Sequence, residues 1–81
     1  MNAANMQPKH GSLHRWFIRH KIDHALAWTG AHWTKHIHGI PLNGYQICSF
    51  TNKLEADTYI EDYARYEINR RNTRAENGIK P

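Results

Sequence analysis

Cys48 is the one cysteine in 81 residues, which excludes an intrachain disulfide. With no CxxC pair, a thiolate-rich zinc module is excluded as well. No run approaches the roughly 18 apolar residues a membrane span needs. The opening MNAANMQPKHGS also lacks the apolar segment of a secretory signal. The expectation is a cytoplasmic chain with no membrane association. The sequence holds no glycine-rich phosphate loop and no nucleophile elbow. A chain of this length makes one domain and buries only about 60% of its unfolded surface, so large faces stay exposed.

Acidic residues are scarce in the first fifty positions. There Asp23 stands alone against Lys9, Arg15, Arg19, Lys21 and Lys35, and the same stretch holds all seven histidines. Residues 51 to 81 carry six basic and six acidic side chains. The net charge of +4 therefore belongs to the N-terminal part, where it increases as pH falls through the histidine range. Such asymmetry favours polyanions or acidic protein patches as partners, set against the plainer role of keeping the chain in solution.

Residues 1 to 11 are polar, contain Pro8 and Gly11, and show no periodicity, which predicts a flexible tail. Ser12 offers an N-cap for a short helix over about 13 to 24, with Leu13, Phe17, His20 and His24 on one side and Ile18, Ile22 and Ala25 on another. From Ala25 the pattern changes to strand, tight turn, strand: ALAWT, then GA, then HWTKHI. HGIPLNG supplies the pair Asn43 and Gly44, a turn signal, and GYQICSF follows as a third strand. Asn52 and Glu55 have capping-box spacing. Beyond them Ala56, Tyr59, Ile60, Tyr63, Ala64 and Tyr66 form one stripe of a helix, with Asp57, Glu61, Asp62 and Arg65 opposite. The expected fold class is α+β: a short N-terminal helix, a three-stranded antiparallel sheet and a C-terminal helix packed on one sheet face. The domain is expected over 12–75, with 76–81 a flexible C-terminus.

Trp33-Thr34-Lys35-His36-Ile37 as a middle strand, and Ile47-Cys48-Ser49-Phe50-Thr51-Asn52-Lys53-Leu54-Glu55-Ala56 as a strand running into a helix, are suggestive together. On these residues the stretch 25–66 resembles the three-strand-plus-helix DNA-binding domains of the AP2 and integrase-arm type. Trp33, Ile37, Ile47, Phe50, Glu55 and Ala56 match that pattern by type and spacing, while Cys48 stands in place of a glycine and Asn52 in place of a threonine. The resemblance implies a sheet whose exposed face reads a DNA major groove.

The segment HALAWTGAHWTKHIHGI packs four histidines and two tryptophans into residues 24–40. His20 and His24 at helical spacing, with His36 and His38 at strand spacing, are candidate metal ligands; the plainer reading is of exposed polar positions. No carboxylate or thiolate completes a familiar site, so no cofactor is expected. Cys48 is expected as a small buried hydrophobe, and a catalytic centre is not expected. Basic and aromatic residues suit nucleic acid better. Arg15, Arg19, Lys21, Lys35, Arg70, Arg71 and Arg74 are candidate phosphate contacts, and Trp28, His32 and His36 candidate interface residues. Each tryptophan is also what a small core needs. Nucleic acid leads as the expected partner, ahead of a host protein or nucleoprotein complex and of a homodimer. In size and lack of motifs the chain is similar in style to small phage and mobile-element inhibitors, anti-CRISPR proteins among them.

Overall fold

Two strands occupy the stretch where the sequence predicts a tail and a helix. The computed structural model describes residues 2–79, with side chains described as far as residue 70. After a 3-10 turn at Ala3–Asn5, strand β1 (Met6–His10) pairs antiparallel with β2 (Trp16–His20), Pro8 lying opposite Ile18. Pro8 is tolerated because β1 is an edge strand, where a missing N–H interrupts no second ladder. The helix expected over 13–24 is absent. Phe17 and Arg19 alternate with Ile18 and His20 along β2, so the period is two, and the 3.6-residue spacing of Leu13, Phe17, His20 and His24 is incidental. Ser12 opens no helix: it begins a 3-10 turn in which Leu13 and His14 have φ of 59° and 56°.

The expected hairpin around Gly30 forms as β3 (Leu26–Trp28) and β4 (Trp33–Ile37), with Trp28 opposite Trp33. Its loop is held by Thr29, whose Oγ1 accepts the N–H groups of Ala31 and His32. The next hairpin turn lies at His38-Gly39, ahead of the expected Asn43-Gly44. Both residues have positive φ, as a two-residue primed turn requires, and Ile37 pairs with Ile40 of β5 (Ile40–Pro41). The expected third strand shrinks to β6 (Ser49–Phe50), which pairs with β2 rather than β4. The sheet is thus six strands in the order β1-β2-β3-β4-β5, with β6 beside β2, instead of a three-stranded meander.

The C-terminal helix α1 (Lys53–Ile79) begins where the capping residues predicted. Asn52 Oδ1 accepts the Glu55 N–H at 2.9 Å, and Glu55 reaches back to the Thr51 N–H at 3.1 Å. Ala56 is fully buried, and Tyr59, Ile60, Tyr63 and Ala64 pack on a core of Ala3, Met6, Ile18 and Trp28. Tyr66 continues the stripe but is half exposed. The helix crosses β1, β2, β6 and the first 3-10 turn. Glu67 fastens that turn: its two carboxylate oxygens accept the N–H groups of Asn2 and Ala3 at 2.9 and 2.7 Å. Among the described residues no helix is long and apolar enough to cross a membrane.

Candidate functional site

The helix covers one face of the sheet, and the other face curls on itself. The β4–β5 turn reaches the β1–β2 turn, where the Ser12 N–H donates to the His38 carbonyl at 2.9 Å. Phe17 sits beneath this closure. A Cβ at Gly39 would lie 2.9 Å from the Phe17 ring and one at Gly11 only 2.7 Å from the His38 carbonyl oxygen, so both positions require glycine for the approach. His36, Thr34 and Ala27 complete this second, smaller interior.

Two clefts open on either side of the closure and share Phe17 and His38 as walls. The larger, about 400 Å³, runs past Leu13, Arg15, Trp16, Ile40, Pro41 and Ile47. The smaller, about 280 Å³, is lined by Lys9, His10, Arg19, His24, His36 and Ile37. Neither lining contains a carboxylate. The reason lies in the sequence: of the seven acidic residues only Asp23 falls outside α1, and its Oδ1 accepts the Ala25 N–H.

The strand alternation brings together some of the predicted residues. Arg15 is exposed and its Nε donates to Ser49 Oγ at 3.1 Å. Arg19 is half-buried, with one terminal nitrogen donating to Gln7 Oε1 at 3.3 Å. The Arg19 Nε is buried and has no hydrogen-bond partner among the described residues. Lys21 is exposed in the turn after β2. Lys35 is exposed on β4 but alternates away from His36, and Arg70 is exposed on α1, donating to the Tyr66 hydroxyl at 3.4 Å. The side chains of Arg71 and Arg74 lie outside the described residues.

The predicted aromatic and imidazole contacts scatter. Trp28 is wholly buried between sheet and helix, its Nε1 donating to the Tyr59 hydroxyl at 3.0 Å and its ring edge-on to Trp33 and Tyr63. It is a core residue, with no exposed surface in this fold. His32 is exposed in the β3–β4 loop against Tyr45. His36 is buried, accepting the Gly39 N–H at Nδ1 and donating from Nε2 to the His24 carbonyl at 2.9 Å. Burial lowers its pKa below the usual histidine value, and the charges of Arg19 and His38 push the same way, against the raising effect of the His24 carbonyl.

Of the four imidazoles considered as metal ligands, His24, His36 and His38 border the smaller cleft but do not converge on one point, and His20 lies outside it. His20 Nδ1 accepts the Ile22 and Asp23 N–H groups, both nitrogens of His36 serve backbone, and His24 Nε2 bonds the Lys21 carbonyl. Among the described residues no three histidine, cysteine or carboxylate side chains converge on one point. Burial pushes the Cys48 thiol up, away from the thiolate, despite a hydrogen bond with Tyr59.

Lys9 is the cation of this face that the sequence reading passed over, while His10, opposite Trp16, alternates to the other side and only borders the smaller cleft. The signal for Lys9 was its alternation with Gln7 about Pro8, hidden by reading a proline-containing polar segment as a tail. No family profile, characterised protein or solved structure matches the chain.

Proposed function

We propose that this chain is a non-enzymatic domain that binds single-stranded nucleic acid along the helix-free face of its sheet. The observation that carries the reading is the pair of clefts meeting at Phe17 and His38, lined by Lys9, Arg15, Arg19 and imidazoles with no carboxylate among them. Cations in a groove track phosphates, and apolar or aromatic walls receive bases without regard to sequence. Leu13, Trp16, Ile40 and Ile47 supply such walls beside Arg15. A duplex is less well suited, because a major groove takes a protruding helix or ribbon whereas these side chains line a concavity. Lys21 flanks the path; Lys35 and Arg70 stand off it.

Fluorescence anisotropy of a labelled single-stranded oligonucleotide, repeated across salt concentrations and against a duplex of the same sequence, tests this. Three phosphate contacts correspond to a log–log salt slope of about −2 for a single strand. Absence of binding at low salt sinks the reading.

A second reading, a protein or nucleoprotein partner as for a small inhibitor of a host machine, is favoured by one observation. Leu13 is 86% exposed, in a left-handed backbone conformation, next to the half-exposed Ile40 on the same cleft. A strained backbone that presents an apolar side chain to solvent suits an anchor in a partner's pocket. Under that reading Leu13→Asp abolishes capture of the partner while salt matters little.

A further inference from the structure

The smaller cleft concentrates more charge than a chain of phosphodiesters asks of one point. Lys9, His10, Arg19, His24, Ile37 and His38 line about 280 Å³, closed at the back by the buried Phe17 and His36. His36 contributes no hydrogen bond to a ligand, because both of its nitrogens are engaged with backbone. His24 keeps Nδ1 free of protein partners among the described residues, and Lys9, His10 and His38 are exposed. Arg19 is the exceptional member. Its Nη2 has Gln7, but its Nε is buried with no acceptor, and a buried unsatisfied donor on a cation is costly unless something supplies one. Nη2 is taken by Gln7 and Nε has almost no accessible surface, so Nη1, without a partner among the described residues, is the nitrogen that an oxyanion seated in the cleft can reach.

We propose that the Arg19 cleft is a binding site for a phosphoryl dianion, the terminal phosphate of a nucleic-acid strand. This rests on the single-strand reading of the same face. A terminal phosphoryl group carries about −1.5 to −2 charge at neutral pH and three acceptor oxygens, where an internal diester carries a single charge. Lys9 and Arg19 match that charge and the imidazoles line the approach; the volume falls below the range of about 300 to 1,000 Å³ that encloses larger ligands. The larger cleft on the far side of Phe17 then takes the first base of the strand.

The test compares one oligonucleotide sequence bearing a 5′-phosphate, a 3′-phosphate or hydroxyls at both ends, alongside inorganic phosphate followed by amide chemical shifts. The expected result is about tenfold tighter binding of one phosphorylated form over the hydroxyl form, the scale of a charge-assisted hydrogen bond. The favoured end identifies the polarity of the strand. Arg19→Lys, which keeps the charge and loses the fork, and Lys9→Ala at an exposed position each remove most of that preference, while Arg65→Ala on the far side of the helix leaves it unchanged. Unchanged amide spectra outside the cleft establish that the variants fold. Equal, salt-sensitive binding of all three oligonucleotides overturns the phosphoryl site and leaves the single-strand reading standing. Shifts at Lys9, Arg19 and His24 with inorganic phosphate, without oligonucleotide binding, uphold the site and sink the single-strand reading. Neither response overturns both.

Discussion

His36 illustrates how little a residue type says before its hydrogen bonds are known. In sequence it belongs to a set of imidazoles with metal-like spacing; in the fold it ties the β4–β5 turn to the loop before β3 through Gly39 and His24. A proton added at Nδ1 meets the Gly39 N–H, so the folded state prefers the neutral ring. The unfolded chain therefore binds more protons as pH falls, and stability must fall with it. The contribution is complete above the ordinary histidine value of 6.5 and is lost from there down toward the lowered folded value. Denaturant unfolding of wild type and His36→Gln at pH 8, 6 and 5 reads this directly: the gap between them narrows as pH falls. A gap that widens at acid pH refutes the assignment. Trp28 carries the same lesson with the opposite chemistry. Trp28→Ala leaves a cavity between sheet and helix and costs about 3 to 5 kcal/mol, measured by the same unfolding experiment. Nothing in the local sequence distinguishes Trp28 from an interface tryptophan, because burial depends on α1, which lies 25 residues downstream.

Elements whose signals are local were legible, and those set by partners distant in sequence were not. The start and buried stripe of α1 follow from Asn52, Glu55 and the spacing of Ala56, Tyr59, Ile60 and Tyr63, all within a few turns of chain. The β3–β4 hairpin likewise follows from its own residues. β1 and β2 did not, because a five-residue strand ending in Arg19 and His20 offers too short an alternation to defeat an accidental helical spacing. β6 was predicted in kind but given the wrong neighbour, since pairing with β2 depends on a crossover of nearly thirty residues. The His38-Gly39 turn was overlooked because Asn43-Gly44 carries the stronger composition signal, and histidine enters a left-handed turn only where its neighbours hold it there. Glu67 is the element-scale feature with the most direct test. Glu67→Ala removes both acceptors of the Asn2 and Ala3 N–H groups, and charged hydrogen bonds of this kind contribute about 1.5 to 3 kcal/mol. Global stability falls accordingly, and the amides of Asn2 and Ala3 lose their protection from hydrogen exchange while those of β3 and β4 keep theirs.

At the scale of the molecule, charge is sorted by element. The sheet half carries basic residues against Asp23 alone, and α1 carries the remaining acids together with Lys53, Arg65, Arg70, Arg71 and Arg74, so its charges nearly cancel. The imbalance was visible in sequence; its concentration on one face was not, because that required β2 to be a strand and β1 to exist. Alternation along those two strands sends Lys9, Arg15 and Arg19 to the side that α1 leaves open, while Lys35 and Arg70 go elsewhere. Total charge and facial charge therefore make different predictions. If the protein attracts polyanions through its net charge alone, removing any one cation weakens binding equally. If the helix-free face is the interface, Lys9→Ala and Arg15→Ala each weaken single-strand binding several-fold and reduce the salt slope by about 0.7, whereas Arg65→Ala and Arg70→Ala do neither. All four sites are exposed, so none of the changes threatens the core. Four matched variants in one anisotropy series across salt decide between the two, and a uniform loss across them removes the case for a directed face.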